Sequence, residues 1–372
     1  MSILLCFLFI VLLINPAFCL DSYCSSRSNN DKNETVNVPV LNIKRIDNNK
    51  ISDLSIAPDC KKVVVSLKNH IYQVDLKTTN ILKLRLNGHN IQKINYSHTG
   101  KYLGVIEASN ELTGYYDFAN TIFYTPLKGK AYYKLNTFFS FSNNDSLFAI
   151  AYTKRNSNTK NSICSEDADY YISLFNLENG KEIQCFKCPS LWSYSQIGLS
   201  DIKDKTFLYL TTKNDLVQID INSGKVLNKQ KYTKEHVFLR YQPNFINNCK
   251  SIFCLWKYNI PNTQKIKTIF CLSDIANLNK ITKITNEKFR VKSFKISTNG
   301  RYICLYGCNL NLNQTKKSKY YFLVLNSSNF TENRIKTVDP NSDNPYVPYD
   351  IASSGKFIIY AKRGMLYKIK SE

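Results

Sequence analysis

The chain is poor in the side chains that most often carry catalysis and metal binding. Its 372 residues hold four histidines, His70, His89, His98 and His236, with no shared spacing that would build a ligand set or a triad. No G-x-S-x-G elbow, P-loop or HExxH run is present, so the nucleophile, phosphate-cradle and zinc signatures that a short motif announces are excluded. Acid is scarce too: 28 Asp and Glu stand against 50 Lys and Arg, a net charge of +22. Recurrent carboxylates such as Asp75 and Asp220 fall at strand ends beside Gly/Asn/Ser turns, which suits turn residues and not paired catalytic acids. The expectation is a protein with no catalytic residues, cofactor or metal. A site assembled at a ring centre from scattered residues would escape this search.

Long apolar runs are also missing, with one exception. Ser2–Cys19 (SILLCFLFIVLLINPAFC) has the length of a secretory h-region, is broken by Pro16, and ends in residues suited to cleavage after Cys19. Residues 1–19 are therefore expected to be a signal peptide; the lack of a positive n-region leaves an uncleaved anchor open. No later stretch approaches membrane length, and the C-terminal KIKSE carries no retention or lipidation signal. The chain is expected in the secretory pathway: secreted, at the cell surface or in an organelle lumen, with no transmembrane span after cleavage.

Removing the leader leaves ten of the twelve cysteines, an even number in an oxidising compartment, so disulfides are the default expectation. Cys185-Phe186-Lys187-Cys188 is read the same way, because it follows a strand, precedes Pro189 and has no matching second pair for zinc. Asn33, Asn95, Asn144, Asn313, Asn326 and Asn329 stand in Asn-x-Ser/Thr triplets and are candidates for glycosylation.

What the chain does have is β-forming sequence. Apolar residues make up 43%, with 25 Tyr and 21 Phe, enough for a core and biased toward strands. Residues 20–37 are polar and read as a flexible arm; Val38–Ile46 then alternates like a strand. INYSHTGKYLGVI, from Ile94, is one of seven similar units with turns at Cys60, Gly100, Asp145, near Asp204, near Cys249, Gly300 and Gly355. Their spacings run from 40 to 59 residues, near or above the ~40 to 45 of a four-stranded repeat unit. A second signature alternates with the first, at the join of each unit's third and fourth strands: IYQVDLKTTN, IFYTPLKGK, YISLFNLENGK, LVQIDINSGK, IFCLSDIANLNK and YFLVLNSSN.

The small-x-x-Gly-Lys/Arg-aromatic turns at Ser97–Tyr102 and Ser297–Tyr302, with Ala352–Phe357 similar, resemble those of the WD40-like seven-bladed β-propellers. The likeness spans roughly 38–372. The strict Gly-His and Trp-Asp dipeptides are absent: Trp192 and Trp256 are the only tryptophans and neither precedes Asp. The implied fold is all-β, seven blades of four antiparallel strands. Met365–Lys370 leaves the last blade one strand short, and the strand from Val38 should complete it, removing an open edge.

In such a blade the connections between second and third strands share one face with the connections between blades. The long ones are expected to carry Tyr115, Tyr116 and Phe118, then Lys154 and Arg155, then Lys316, Lys317 and Lys319, an aromatic and basic set suited to an acidic or glycan-bearing partner. An AT-rich genome also yields Lys-, Asn-, Ile- and Tyr-rich sequence, so the charge by itself does not choose between compositional bias and a basic face. The reading is a secreted, non-catalytic scaffold, monomeric by itself, that binds a protein or acidic glycan and no specific nucleic acid; the rival is a propeller enzyme with a central, metal-dependent, hydrolase-like or cyclase-like site. One cross-link follows from register. A hairpin centred between Asn262 and Thr263 sets Cys254 opposite Cys271 and Trp256 opposite Ile269, within disulfide reach. Cys304 and Cys308, four residues apart on one strand and so about 13 Å apart, are expected to bond elsewhere.

Overall fold

The computed structural model describes residues 38–370 apart from 43–50, 85–90, 108–112, 126–131, 155–168, 189–195, 232–243, 247–250, 260–265, 275–280, 310–319, 329–331, 337–346 and a few shorter gaps; for some strands, 252–290 above all, it describes the backbone alone. Every regular element among these residues is a strand.

A lone first strand, β1 (Val38–Asn42), precedes a first sheet of β2 (Ile51–Ile56), β3 (Lys62–Leu67), β4 (His70–Asp75) and β5 (Ile81–Lys83). The second sheet is β6 (Ile91–Tyr96), β7 (Tyr102–Glu107), β8 (Gly114–Asp117) and β9 (Ile122–Tyr124). The third is β10 (Tyr132–Phe141), β11 (Leu147–Lys154), β12 (Asp169–Asn176) and β13 (Glu182–Cys188). The fourth is β14 (Ile197–Ile202), β15 (Lys205–Thr211), β16 (Asp215–Asp220) and β17 (Val226–Lys231). The fifth is β18 (Asn244–Ile246), β19 (Ser251–Asn259), β20 (Ile266–Asp274) and β21 (Ile281–Thr285). The sixth is β22 (Phe289–Ile296), β23 (Tyr302–Asn309), β24 (Tyr320–Asn326) and β25 (Glu332–Lys336). The last three strands, β26 (Tyr349–Ile351), β27 (Phe357–Lys362) and β28 (Met365–Lys370), lie in the order β26-β27-β28-β1. Val38 pairs with Lys368 and Asn42 with Met365, so the outer edge that β28 would expose is covered by the start of the chain.

Two recurrent turns explain why the sequence folds into these sheets. Between first and second strands, the N–H of the fourth residue returns to the carbonyl of the first: Cys60 to Ala57, Gly100 to Ser97, Asp145 to Ser142, Gly300 to Ser297 and Gly355 to Ala352. That fourth residue has a positive φ each time, between 55° and 81°. Between third and fourth strands, an Asp or Asn side chain gathers the N–H groups two and three residues ahead, at Asp75, Asp117, Asn176 and Asp220. The left-handed position four residues on is Thr79, Thr121, Gly180 or Gly224. Asp75 and Asp220 are thus turn residues. The second unit corrects the sequence reading: Ile122–Tyr124 is the fourth strand and Gly114–Asp117 the third, a turn hidden because Thr121 stands where Gly would have marked it.

Packing follows from strands buried on both faces. Val63 and Val65 point toward the seventh sheet with Ile359 and Ala361, while Val64 points toward the second with Ile94 and Val105. A continuous run such as KVVVSL is what that demands, and each fully buried Val or Leu contributes about 1.5–3 kcal/mol. Further clusters join the second sheet to the third, the third to the fourth, and the sixth to the seventh.

Candidate functional site

The first strand of each sheet is an inner edge whose outward N–H groups have no partner strand, a liability the neighbouring sheet removes with side chains. Asp350 Oδ2 accepts Ile56 N–H at 2.8 Å, Asp53 Oδ2 accepts Ile94 N–H at 3.1 Å, Ser55 Oγ accepts Tyr96 N–H at 3.1 Å and Ser140 Oγ accepts Leu199 N–H at 3.2 Å. Asp53 and Ser55 alternate on β2, with Ser140 on β10 and Asp350 on β26, so these inner strands present polar side chains where the sheets meet.

At one end the first turns of five sheets are tied together. The Asp145 carboxylate accepts the Ser97 and Thr99 hydroxyls and the N–H groups of His98 and Thr99. The Pro58 ring lies against the Gly100 turn, where a Cβ would come within 3.1 Å of it. Asn299 Nδ2 donates to Ser353 O at 2.7 Å, and Cys60 Sγ lies 4.0 Å from Ser354 Oγ. His98 Nδ1 donates to Thr298 O at 3.0 Å, joining the second sheet to the sixth.

At the other end lies a cavity of about 330 Å³, lined by Ile51, Ser52 and Asp53 from β2, Ser293, Phe294 and Lys295 from β22, and Val347, Pro348 and Tyr349 at the start of β26. Lys295 Nζ reaches Asp53 Oδ1 at 2.9 Å, past the intervening seventh sheet. Burial works against the Lys295 charge, but Asp53 and Asp350 outweigh it and hold its pKa above the ordinary value. Lys93, on the strand beside Asp53, is pulled down to about 8, first by burial and then by the Lys295 charge, with Asp53 acting in the opposite sense. Burial pushes Asp350 up to about 7, although Lys295 and the N–H groups of Ile56 and Ile351 favour its charged form. Two lysines and two carboxylates, from the first, second, sixth and seventh sheets, thus meet where four sheets converge.

The fold behind this arrangement is that of known β-propellers. Oligogalacturonate lyase from Vibrio parahaemolyticus superposes with a TM-score of 0.62 at 11% identity, over 87% of this chain and 89% of that one. The β-propeller domain of Cps50 (Swd1) from Myceliophteria thermophila gives 0.55 at 11% identity, over 87% and 96%. No protein-family model and no curated protein sequence matches the chain. One neighbour is named as an enzyme and the other is not, and at this identity the likeness carries the fold alone.

The sequence-derived site residues fare unevenly. Tyr115 and Tyr116 are not loop residues: both lie on β8 and are buried, at 0% and 4% exposure. Tyr115 stacks on Tyr124, and Phe118 lies half-buried, stacked on Tyr96 at 5.5 Å. The aromatic spacing that suggested a contact surface is inter-sheet core. Lys154 ends β11, with only its backbone described; Arg155, Lys316, Lys317 and Lys319 lie outside the described residues.

Among the described cysteines, Cys60, Cys185, Cys188, Cys304 and Cys308, none is paired. This corrects the disulfide reading of Cys185 and Cys188, which stand three apart on the extended β13, about 10 Å from one another and on opposite faces. Burial pushes the Cys188 thiol up to about 12, which lowers its thiolate fraction. Cys304 and Cys308 are likewise unpaired among the described residues; they are buried, and Cys304 packs in the core between the sixth and seventh sheets. Cys254 and Cys271 are direct register partners on β19 and β20, as are Trp256 and Ile269; their side chains are not among those described. Of the sequons, Asn144 sits in a turn and Asn326 ends β24, each with Oδ1 engaged, Asn95 is exposed on β6, and Asn33, Asn313 and Asn329 fall outside the described residues, as does the leader.

Lys93, Lys295, Asp53 and Asp350 were missed because they come from four strands, with 242 residues between Asp53 and Lys295. A signal did exist: each interrupts the apolar face of a first strand, in ISDLSI, IQKINY, FRVKSFKI and YDI.

Proposed function

We propose that the protein is a secretory-pathway β-propeller that binds an acidic partner, a protein or a carboxylate-bearing glycan, on the face where its central cavity opens. One placement carries the reading. The cavity is built at the starts of β2 and β26, and Phe289 at the start of β22 pairs with Asn309 at the end of β23. The connection from β23 to β24, which holds Lys316, Lys317 and Lys319, therefore leaves its sheet at the cavity end, and so does the connection after Lys154 that begins with Arg155. Basic sequence on these connections and lysine in the centre add to a net charge of +22, a field that attracts polyanions.

Binding of fluorescent polyglutamate and of polygalacturonate by the full chain, at low and at high salt, tests this. Saturable binding to one of them that weakens as salt rises supports the proposal; no saturable binding to either removes it. Which polymer binds separates protein from glycan.

A second reading, a central enzyme site, is favoured by one observation: near a cavity, Asp350 is raised to about 7 and Lys93 lowered to about 8, so the two approach neutrality from opposite directions. Perturbed groups of this kind cluster at functional sites, and ion-pair networks produce them as well. Turnover of a small ester or lactone that is lost in Lys93→Met would move the balance to that reading.

A further inference from the structure

We propose that Lys93 and Lys295 together form a subsite for one carboxylate group of the acidic partner. The inference rests on the binding reading above and gives the central cavity its part in it.

Hydrogen-bonding capacity in this cluster is unevenly used. Two ammonium groups enter this cluster, and each has three protons to donate. Two carboxylates enter it as well, but both are largely used by the fold. Asp350 accepts Ile56 N–H on Oδ2 and Ile351 N–H on Oδ1. Asp53 accepts Ile94 N–H on Oδ2 and the Lys295 ammonium on Oδ1. Among the described residues Lys93 has no carboxylate within ion-pair distance; its contact is the face of Phe139, 5.9 Å from the ring centroid. One salt bridge thus serves two lysines.

Position supports sharing. Lys93 precedes Ile94, whose N–H is held by Asp53, so the Lys93 backbone stands beside the carboxylate that Lys295 grasps. Burial first and then the Lys295 charge lower the Lys93 pKa, and an anion placed between the two ammonium groups would offset that second effect. A carboxylate has two oxygens and can take one ammonium on each. The cavity beside Lys295 is large enough for a single acidic group with its nearest carbons, and Ser52 and Ser293 line it with hydroxyls.

The test uses the full chain with its lysines labelled by reductive 13C-methylation, titrated with sodium acetate against sodium chloride at constant ionic strength. Lys93 is assigned by loss of its signal in Lys93→Gln, and Lys295 by loss in Lys295→Met. The subsite predicts a saturable response of both signals to acetate, a rise of about one unit in the Lys93 titration midpoint, and at least fivefold weaker acetate binding, read at Lys295, in Lys93→Gln. That variant removes a charge without stranding an ion-pair partner among the described residues. An unmoved Lys93 midpoint, or an acetate response at Lys295 equal in Lys93→Gln, overturns the subsite. Polyanion binding that persists without any acetate response retires the subsite and leaves the acidic partner standing; an acetate response without polyanion binding does the reverse.

Discussion

His98 and Thr298, 200 residues apart, are joined by a hydrogen bond of 3.0 Å from the imidazole Nδ1 to the backbone carbonyl. The carbonyl can only accept, so the proton sits on Nδ1 and fixes the tautomer. The bond ties the first turn of the second sheet to that of the sixth without passing through the two sheets between them. His98→Ala should cost about 1 kcal/mol in urea unfolding and raise amide exchange at 297–300, both from loss of one partly buried bond. An unchanged midpoint with unchanged exchange would make the contact incidental.

Asp145 combines a strained backbone with a rich set of partners, and the two effects oppose one another. Its φ of 55° would favour Gly by roughly 1–2 kcal/mol, whereas the carboxylate takes four donors from the 97–99 turn. Hydrogen bonds to a charged group contribute about 1.5–3 kcal/mol each before they are shared, so the bonds outweigh the strain. Asp145→Gly should therefore destabilise by about 2 kcal/mol or more, and Asp145→Asn by less. Denaturant midpoints decide it; a stabilised glycine variant would show that strain dominates.

Asp350 sets a pH window. Lys295, Asp53, Tyr349 and Cys304 all face it, and its pKa stands near 7 in the fold against an ordinary 3.8. Between these values the folded chain holds a proton that the unfolded chain has lost. Stability from this residue is thus fully present below about 3.8 and lost as pH rises through 7. Lys93 acts in the opposite sense in a higher window: between about 8 and 10.5 the unfolded chain binds the extra proton, so stability rises with pH. In Asp350→Asn the fall in unfolding free energy from pH 5 to 7 should become shallower, by up to on the order of 1 kcal/mol per pH unit. Urea unfolding at several pH values gives the slope; equal slopes in both proteins would remove Asp350 as its source.

Cys254 and Cys271 are direct register partners on β19 and β20. Directly opposed residues of an antiparallel pair have Cα atoms about 4.5–5.5 Å apart, within disulfide range, so in an oxidising compartment the two should be bonded. Non-reducing peptide mapping should recover them in one cross-linked peptide. Cys254 found with any other cysteine, or free, would contradict the expected bond.

The same register shows how far the sequence could be read. Pairings inside a hairpin depend only on where its turn is centred, so Trp256 opposite Ile269 and the left-handed positions at Cys60, Gly100, Asp145, Gly300 and Gly355 were legible. The β1–β28 pairing followed from an unfilled edge. Tyr115 and Tyr116 were misplaced because Thr121 occupies a left-handed position without a glycine to announce it. The Lys295–Asp53 contact was invisible for a different reason: it depends on how separate sheets are set around a centre, and no local pattern encodes a distance between strands 242 residues apart.

Salt dependence on a charge-reversed cavity face tests acidic-partner binding most directly. Lys316→Glu, Lys317→Glu and Lys319→Glu are combined in one chain, at positions outside the described residues. Affinity for the polyanion that binds the wild type, measured across a series of salt concentrations, should fall at least tenfold at low salt, with a visibly shallower dependence on salt. Equal affinity and an equal salt slope in the triple variant would place the partner elsewhere and contradict the claim.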